Sequence, residues 1–545
     1  MKYKPSFDEI DVSEDTKKLK PWQINIIVFG IIAVILNLLA VIYVHLSHDI
    51  YYWSNADYWS MARNIASGGL GDDLWRTVYN SVVNSEFNYI PALPSALFAK
   101  LFGQSRMVFV LSLVNCYLLP ADIIIYLLAK KLGKAPLIST LIVIFTMPIT
   151  VYLTLNGFTE MGGFVISLLC FYLYFDKDKK SQKLWRYILI GVLLAALMIW
   201  NNWFIFFSVS FITAMIVDAV ILRKRKWQMS LVTLLSMVVV VALFFQGFLF
   251  KRLISTYGNG TFDFQPITNL RLITRYFGLI FLVLLSVNSI IIAIKHKENR
   301  VFFVWMQMIV CYITFTATQT HGQGHLLMYV PGLAALVILS VKYIRKEQVL
   351  LGVIALALVH TVNIFIPRAQ PQSVAEIKSL ALVPDFSMRP HTRDSSYDIL
   401  TLKTTLDNIV PDGEYLGVLS YSDILNSEML KNAEPSLNIK QYKVNYIANT
   451  IPYFDLPDVD ISPLCNANYM LVVFPAQTVR DDQKVLETAV DSFANWSDIA
   501  CAYEEMYEYE TVIDGASVKL FHRVREVNAY EEAQFRHKLK VNLNN

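Results

Sequence analysis

The sequence predicts a polytopic α-helical membrane protein with about eleven spans, followed by a water-soluble α/β domain. Three observations carry that prediction. Of 545 residues, 55% are hydrophobic and only 17% charged, with a mean hydropathy of +0.43, whereas a soluble globular chain is about half apolar and about a quarter charged. The apolar excess is concentrated in residues 1–395, and 396–545 has the composition of an ordinary soluble domain. Lysine and arginine recur in alternate short connections, as cytoplasmic loops require.

Residues 1–20 are polar and charged, so no cleavable signal is expected there, and Ile24 to Leu46 is expected to act as an uncleaved signal anchor. Further apolar runs fall near 106–129, 135–154, 160–175, 186–201, 203–222, 228–250, 277–295, 301–318, 326–341 and 349–367. In lipid such runs are helical, because backbone groups there must be satisfied internally. With the N-terminal segment 1–22 inside, the inner loops hold Lys130, Lys131 and Lys134; Lys177, Lys179, Lys180, Lys183 and Arg186; Arg223, Lys224, Arg225 and Lys226; Lys295, Lys297 and Arg300; and Lys342, Arg345 and Lys346. The loops at 155–159, 202 and 319–325 hold none. An odd number of spans places everything after residue 367 outside. The expected organisation is a membrane domain at 23–367, a linker at 368–395 and an extracytoplasmic α/β domain at 396–545.

Two outer loops are long, 47–105 and about 251–276, and long ordered loops are usually functional. The first is rich in aromatic residues, which suit the headgroup layer. Within it, Asp57 to Ala66 has helical character and stops at Gly68-Gly69, while Pro91 to Gly103 reads as a short amphipathic interfacial helix. In the C-terminal part, strands are expected at Tyr415–Tyr421, Tyr469–Pro475 and Ser517–His522, with helices near 397–409, 422–432 and 482–496.

The net charge of +3 carries no basic stripe interleaved with aromatics, so nucleic acid is not an expected partner. Cys116, Cys170 and Cys311 lie in apolar runs. Cys465 and Cys501 are a candidate disulfide if their domain is extracytoplasmic, and no Cys/His spacing suggests a metal site. Ionisable residues near a membrane are costly and therefore informative. They cluster at the outer side: Asp57 and Arg63 on the first-loop helix, Glu86 near that loop's end, Glu160 at the start of the fourth span, Arg271 and Arg275 before the eighth, and His321 and His325 before the tenth.

The segments SNADYWSMARNIASGG, NYIPALPSALFAKLFG, NGFTEMGGFVISLLCFYLYF and HGQGHLLMYVPGLAAL, in that order and topology, resemble the GT-C glycosyltransferases. Those include protein O-mannosyltransferases and the lipid A aminoarabinose transferase. The resemblance implies a sugar transferase of the plasma membrane. Its donor would be a polyprenyl-phosphate sugar and its acceptor a glycan, lipid or protein outside the membrane, with membrane lipids as surroundings and no cofactor. It also implies an acidic residue of the first outer loop as catalytic base.

An inverting transfer needs a carboxylate beside the acceptor hydroxyl, and Asp57 is the candidate. Arg271, Arg275, His321 and His325 are candidates to balance the phosphate, and Glu86, Glu160 and Arg63 to bind substrate. Alignment on ARNIASGG puts Ser54 or Asn55 at the family's usual acid, which leaves Asp49 as a rival base. The Phe87–Ile90 stretch lacks the lysine some relatives carry there. Oligosaccharyltransferases of the superfamily hold a divalent metal with several acids; Asp57 with Glu160 resembles half of such a site, and Asp72-Asp73 is a lone acidic pair. The alternative from another class is a transporter or flippase of a lipid-linked glycan, which should show an internal repeat and broken helices at mid-membrane.

Overall fold

The computed structural model describes residues 21–47, 50–51, 53–68, 73–84, 88–133, 135–175, 183–221, 227–245, 247, 264–319, 321–344, 347–366, 379–390, 395–411, 413–422, 424–433, 445–447, 461–478 and 484–544. Apolar helices dominate it up to Asn363, and a mixed sheet follows. Four described helices are long and apolar enough to cross a bilayer, or up to five if one bent pair counts as a single span. The other runs expected to span are helices of 10–17 residues.

Two described helical runs depart from straight helices. The span beginning at Arg106 runs to Leu132 but passes through a π-helical turn at Val114–Leu118. Such turns insert one residue and locally re-aim the side chains around them. There, Asn115 and the Asn37 amide on the first helix, Pro21–Leu46, bond reciprocally at 2.8 and 3.3 Å. The run at 135–154 forms two helices, Pro136–Thr146 and Ile149–Leu155, bent by 63°. Pro148 lies at the break, where its missing N–H and its ring prevent a continuous helix. The second half is buried throughout, and it delivers the chain to the turn that carries Glu160.

The first outer loop contains helices Trp53–Ala66, Leu74–Asn84 and Leu93–Phe102. The first begins four residues before the expected start, and it ends ahead of Gly68, whose φ of +76° suits glycine. Helix Leu93–Phe102 exposes Leu97, Leu101 and Phe102 and buries Ser95, Ala96 and Ala99. Part of the second outer loop is itself helical, at Pro266–Phe277.

The C-terminal sheet contains β1 (Tyr415–Leu419), β2 (Asn445–Ile447), β3 (Tyr469–Phe474), β4 (Tyr503–Glu505), β5 (Thr511–Ile513) and β6 (Ala516–Arg523). Its order is β2-β1-β3-β6-β4, with β5 paired to β6. β1 runs parallel to β2 and β3, and β6 runs antiparallel to β3, β4 and β5. Alternation along β3 sends Met470 and Val472 to one core, beneath helices Lys484–Ala494 and Ala529–Asn544. It sends Leu471 and Val473 to the other, beneath helices Ser396–Ile409 and Ser427–Asn432. Ile50, from the first outer loop, is buried in that second core. Cys465 and Cys501 form no disulfide with each other; Cys501 Sγ lies 3.3 Å from the Trp496 carbonyl oxygen.

Candidate active site at the outer ends of the helices

The first-loop helix Trp53–Ala66, which carries Asp57, is fixed at several points. Tyr51 Oη donates to the Leu155 carbonyl at 3.3 Å, and Asn55 Nδ2 donates to the Asn156 carbonyl at 2.9 Å. Tyr43 Oη bonds Asn156 Oδ1 at 3.0 Å. Gly157 has φ of +86°, and a Cβ there would stand 3.0 Å from the Tyr51 ring. Arg106 donates to Ser47 Oγ at 2.9 Å and lies 4.5 Å above the Tyr51 ring. Trp59 Nε1 donates to the Gln104 carbonyl at 3.2 Å. Asp57 itself is half-buried.

The turn behind this helix holds two of the buried polar atoms left without a partner among the described residues. Glu160 is 6% exposed and its Oε2 has no hydrogen-bond partner among the described residues; nor does Oγ1 of its neighbour Thr159. Trp200 Nε1 takes the Thr159 carbonyl at 3.1 Å, which fixes the turn's backbone. Against this turn lies bare backbone of the 321–325 segment: a Cβ on Gly324 would sit 3.7 Å from Glu160 Cγ and Cδ.

That segment carries both candidate histidines. His321 is 1% exposed. Its backbone N–H donates to Asn269 Oδ1 at 2.7 Å, its Nε2 pairs with Tyr329 Oη at 2.7 Å, and its Nδ1 has no partner among the described residues. His325 Nδ1 accepts the Gly322 backbone N–H at 2.7 Å, so the neutral ring must carry its proton on Nε2 and can donate there. Burial lowers His325 to about 3; burial and then the neighbouring His325 lower His321 to about 3. Both rings are therefore held toward their neutral, hydrogen-bonding form.

Asn269 links this segment to helix Pro266–Phe277, and its Nδ2 also donates to Thr316 Oγ1 at 3.1 Å. Arg271, on the same helix, is half-buried and makes no hydrogen bond or ion pair among the described residues. Arg275 is buried, and its carbonyl accepts the Asp385 N–H at 2.6 Å. Arg63, on the same helix as Asp57, donates from Nη2 to Asn432 Oδ1 at 2.8 Å, and its guanidinium stacks 4.3 Å from the Trp59 ring, so it also contacts the C-terminal domain. Glu86, Asp49 and Asp72 lie outside the described residues, and Asp73 faces Arg76 at 3.9 Å on the exposed surface. Among the described residues no group of three or more His, Cys, Asp or Glu side chains could hold a metal ion.

Sequence reasoning missed Thr159, Asn269 and Tyr329. Asn269 sits in an amphipathic helix inside what reads as loop, and its 3.6-residue periodicity was the available signal.

Glu160 thus packs against the segment that carries both histidines, and solved structures share the fold that holds them. No family model matches the chain, and no curated protein matches it. ArnT from Cupriavidus metallidurans in the apo state is similar with a TM-score of 0.57 at 10% identity, over 92% of this chain and 98% of that one. The same protein bound to undecaprenyl phosphate is similar with a TM-score of 0.51 at 11% identity, over 91% and 97%. The oligosaccharyltransferase AglB from Archaeoglobus fulgidus, with an inhibitory peptide and a dolichol-phosphate, gives 0.46 at 11% identity, over 88% and 72%. Over nearly its whole length the chain has the fold seen in ArnT.

Proposed function

We propose that this protein is a GT-C-type glycosyltransferase of the plasma membrane that moves a sugar from a polyprenyl-phosphate donor to an extracytoplasmic glycan, lipid or protein. The observation that carries this reading is the set of buried, unpartnered polar atoms on Thr159, Glu160 and His321 at the outer ends of the helices. Leaving such groups unpaired costs about 1–3 kcal/mol each, and the hydroxyls of a sugar offset that cost by pairing with them. The fold it shares with ArnT, which has been captured with undecaprenyl phosphate, supports a lipid-phosphate donor.

Asp57 serves as general base. The acceptor oxygen attacks the anomeric carbon as Asp57 takes its proton. The bond from that carbon to the phosphate oxygen breaks, and its electron pair leaves with the polyprenyl phosphate. Arg271 and Arg275 balance the released charge, while His325 donates through Nε2. Glu160 and Thr159 orient the sugar, and Glu86, outside the described residues, is a further substrate contact in this reading. On the same reading the chain makes eleven spans, with the N-terminal segment inside and the C-terminal domain outside, and the transfer takes place on the outer side of the membrane. Transfer of radiolabel from polyprenyl-phosphate sugars in membranes containing the protein tests the reading, and its absence with every such donor would overturn it.

A further inference from the structure

The C-terminal domain meets the first-loop helix through helix Ser427–Asn432, and that contact contains polar groups the mechanism above does not use. Arg63 donates to Asn432 Oδ1 at 2.8 Å, and Ile50, just before the loop helix, is buried in the domain's core. Glu428 lies four residues before Asn432. It therefore shares the helix face turned toward the loop helix. Glu428 is 5% exposed with its Oε2 unpartnered among the described residues, and the adjacent Ser427, 2% exposed, has an Oγ likewise unpartnered.

Loose packing does not explain this, because the polar side chains around them are bonded. Ser420 Oγ donates to the Leu425 carbonyl at 2.6 Å, Ser422 Oγ accepts from Ile424 N at 3.1 Å, and Asn426 Oδ1 accepts from Met429 N at 2.9 Å. Asn432 Nδ2 donates to the Glu428 carbonyl at 2.8 Å. Beside these four bonded side chains, a buried carboxyl and a buried hydroxyl stand ready for something else.

We infer that Glu428 and Ser427 form a binding subsite for a neutral, polyhydroxylated acceptor, so that the C-terminal domain completes the acceptor side of the active site. A carboxylate accepts two O–H groups, and a serine hydroxyl both donates and accepts, which matches the alternating hydroxyls of a glycan. Arg63 and Ile50 hold this subsite against the helix that carries Asp57. The inference rests on the transferase reading, but it can fail separately from it.

The test uses the full-length protein in phospholipid nanodiscs with two neutral probes, maltotriose and chitotriose, followed by saturation-transfer NMR. Undecaprenyl phosphate binding is measured in parallel. The expected result is that the wild type binds at least one trisaccharide and that Glu428→Gln and Ser427→Ala each weaken it at least tenfold with undecaprenyl phosphate binding unchanged. Glu428→Gln is nearly isosteric, and Ser427→Ala gives an independent answer if the first variant misfolds. Trisaccharide binding equal to wild type in both variants, or no trisaccharide binding by the wild type, would overturn the subsite. Loss of undecaprenyl phosphate binding in the wild type would count against the donor reading alone.

Discussion

Nη2 of Arg63 donates to Oδ1 of Asn432 at 2.8 Å across 369 residues of sequence, tying the helix that carries Asp57 to the C-terminal sheet domain. A hydrogen bond from a charged donor contributes about 1.5–3 kcal/mol. A double-mutant cycle of Arg63→Ala and Asn432→Ala should give a coupling energy of about 1–2 kcal/mol in the docking of the domain, read by hydrogen exchange of residues 53–66. Additive single effects would show that the bond does not hold the domain.

Helix packing within the membrane sets a second expectation. A Cβ on Gly191 would stand 2.4 Å from the Thr233 carbonyl oxygen and 3.1 Å from Met237 N, both backbone atoms that no rotamer change can move. Gly191→Ala should therefore separate helices Leu184–Trp200 and Trp227–Phe244 and lower stability by about 1–3 kcal/mol. Gly30→Ala, with nothing within 4 Å of its Cβ, is the neutral control in the same thermal scan.

The histidines predict a pH dependence. Both are held near 3 in the fold against an ordinary value of 6.5. Below pH 6.5 the unfolded chain takes up protons that the folded chain refuses, so their contribution to stability is complete above pH 6.5 and is lost as pH falls toward 3. The melting temperature should fall from pH 6.5 to pH 4.5, and His325→Gln should flatten that slope.

Much of this fold was legible in the sequence because hydrophobic periodicity is local. The three longest strands and the helices around them appear close to where alternation puts them. The bend at Pro148, the helix around Asn269 and the three-residue strands β2, β4 and β5 are less visible, since short elements carry too few residues for a period to show. The site was legible in residue type but not in partnership. Glu160 and His321 are recognisable as outer-face ionisable groups, yet only the fold shows that Gly324 brings bare backbone to Glu160 and that Asn269 and Tyr329 hold His321. Arg63 illustrates the limit: beside Asp57 it reads as a substrate contact, and its partner is supplied by a helix more than 350 residues away.

Orientation has a direct check in the exposed thiol of Cys501. With the C-terminal domain outside, a membrane-impermeant maleimide should label intact cells at this position, and Cys501→Ser should remove the label. Labelling only after lysis would place the domain inside and contradict the proposed site of transfer.

Arg271 should be felt in donor binding. If it pairs with the phosphate, Arg271→Ala should weaken undecaprenyl phosphate binding about 10–100-fold, with Arg271→Lys in between, because lysine keeps the charge but not the fork of donors. Unchanged binding in Arg271→Ala would move the phosphate contact elsewhere.

The most direct measurement is sugar transfer from radiolabelled polyprenyl-phosphate sugars by membranes containing the wild type, Asp57→Asn or Asp49→Asn at matched protein level. Loss of a general base costs about 10²–10⁴-fold. Transfer by the wild type and by Asp49→Asn, with a loss of that size in Asp57→Asn, is the predicted result; full transfer by Asp57→Asn would contradict the assignment of the base, and no transfer by the wild type with any such donor would contradict the function itself.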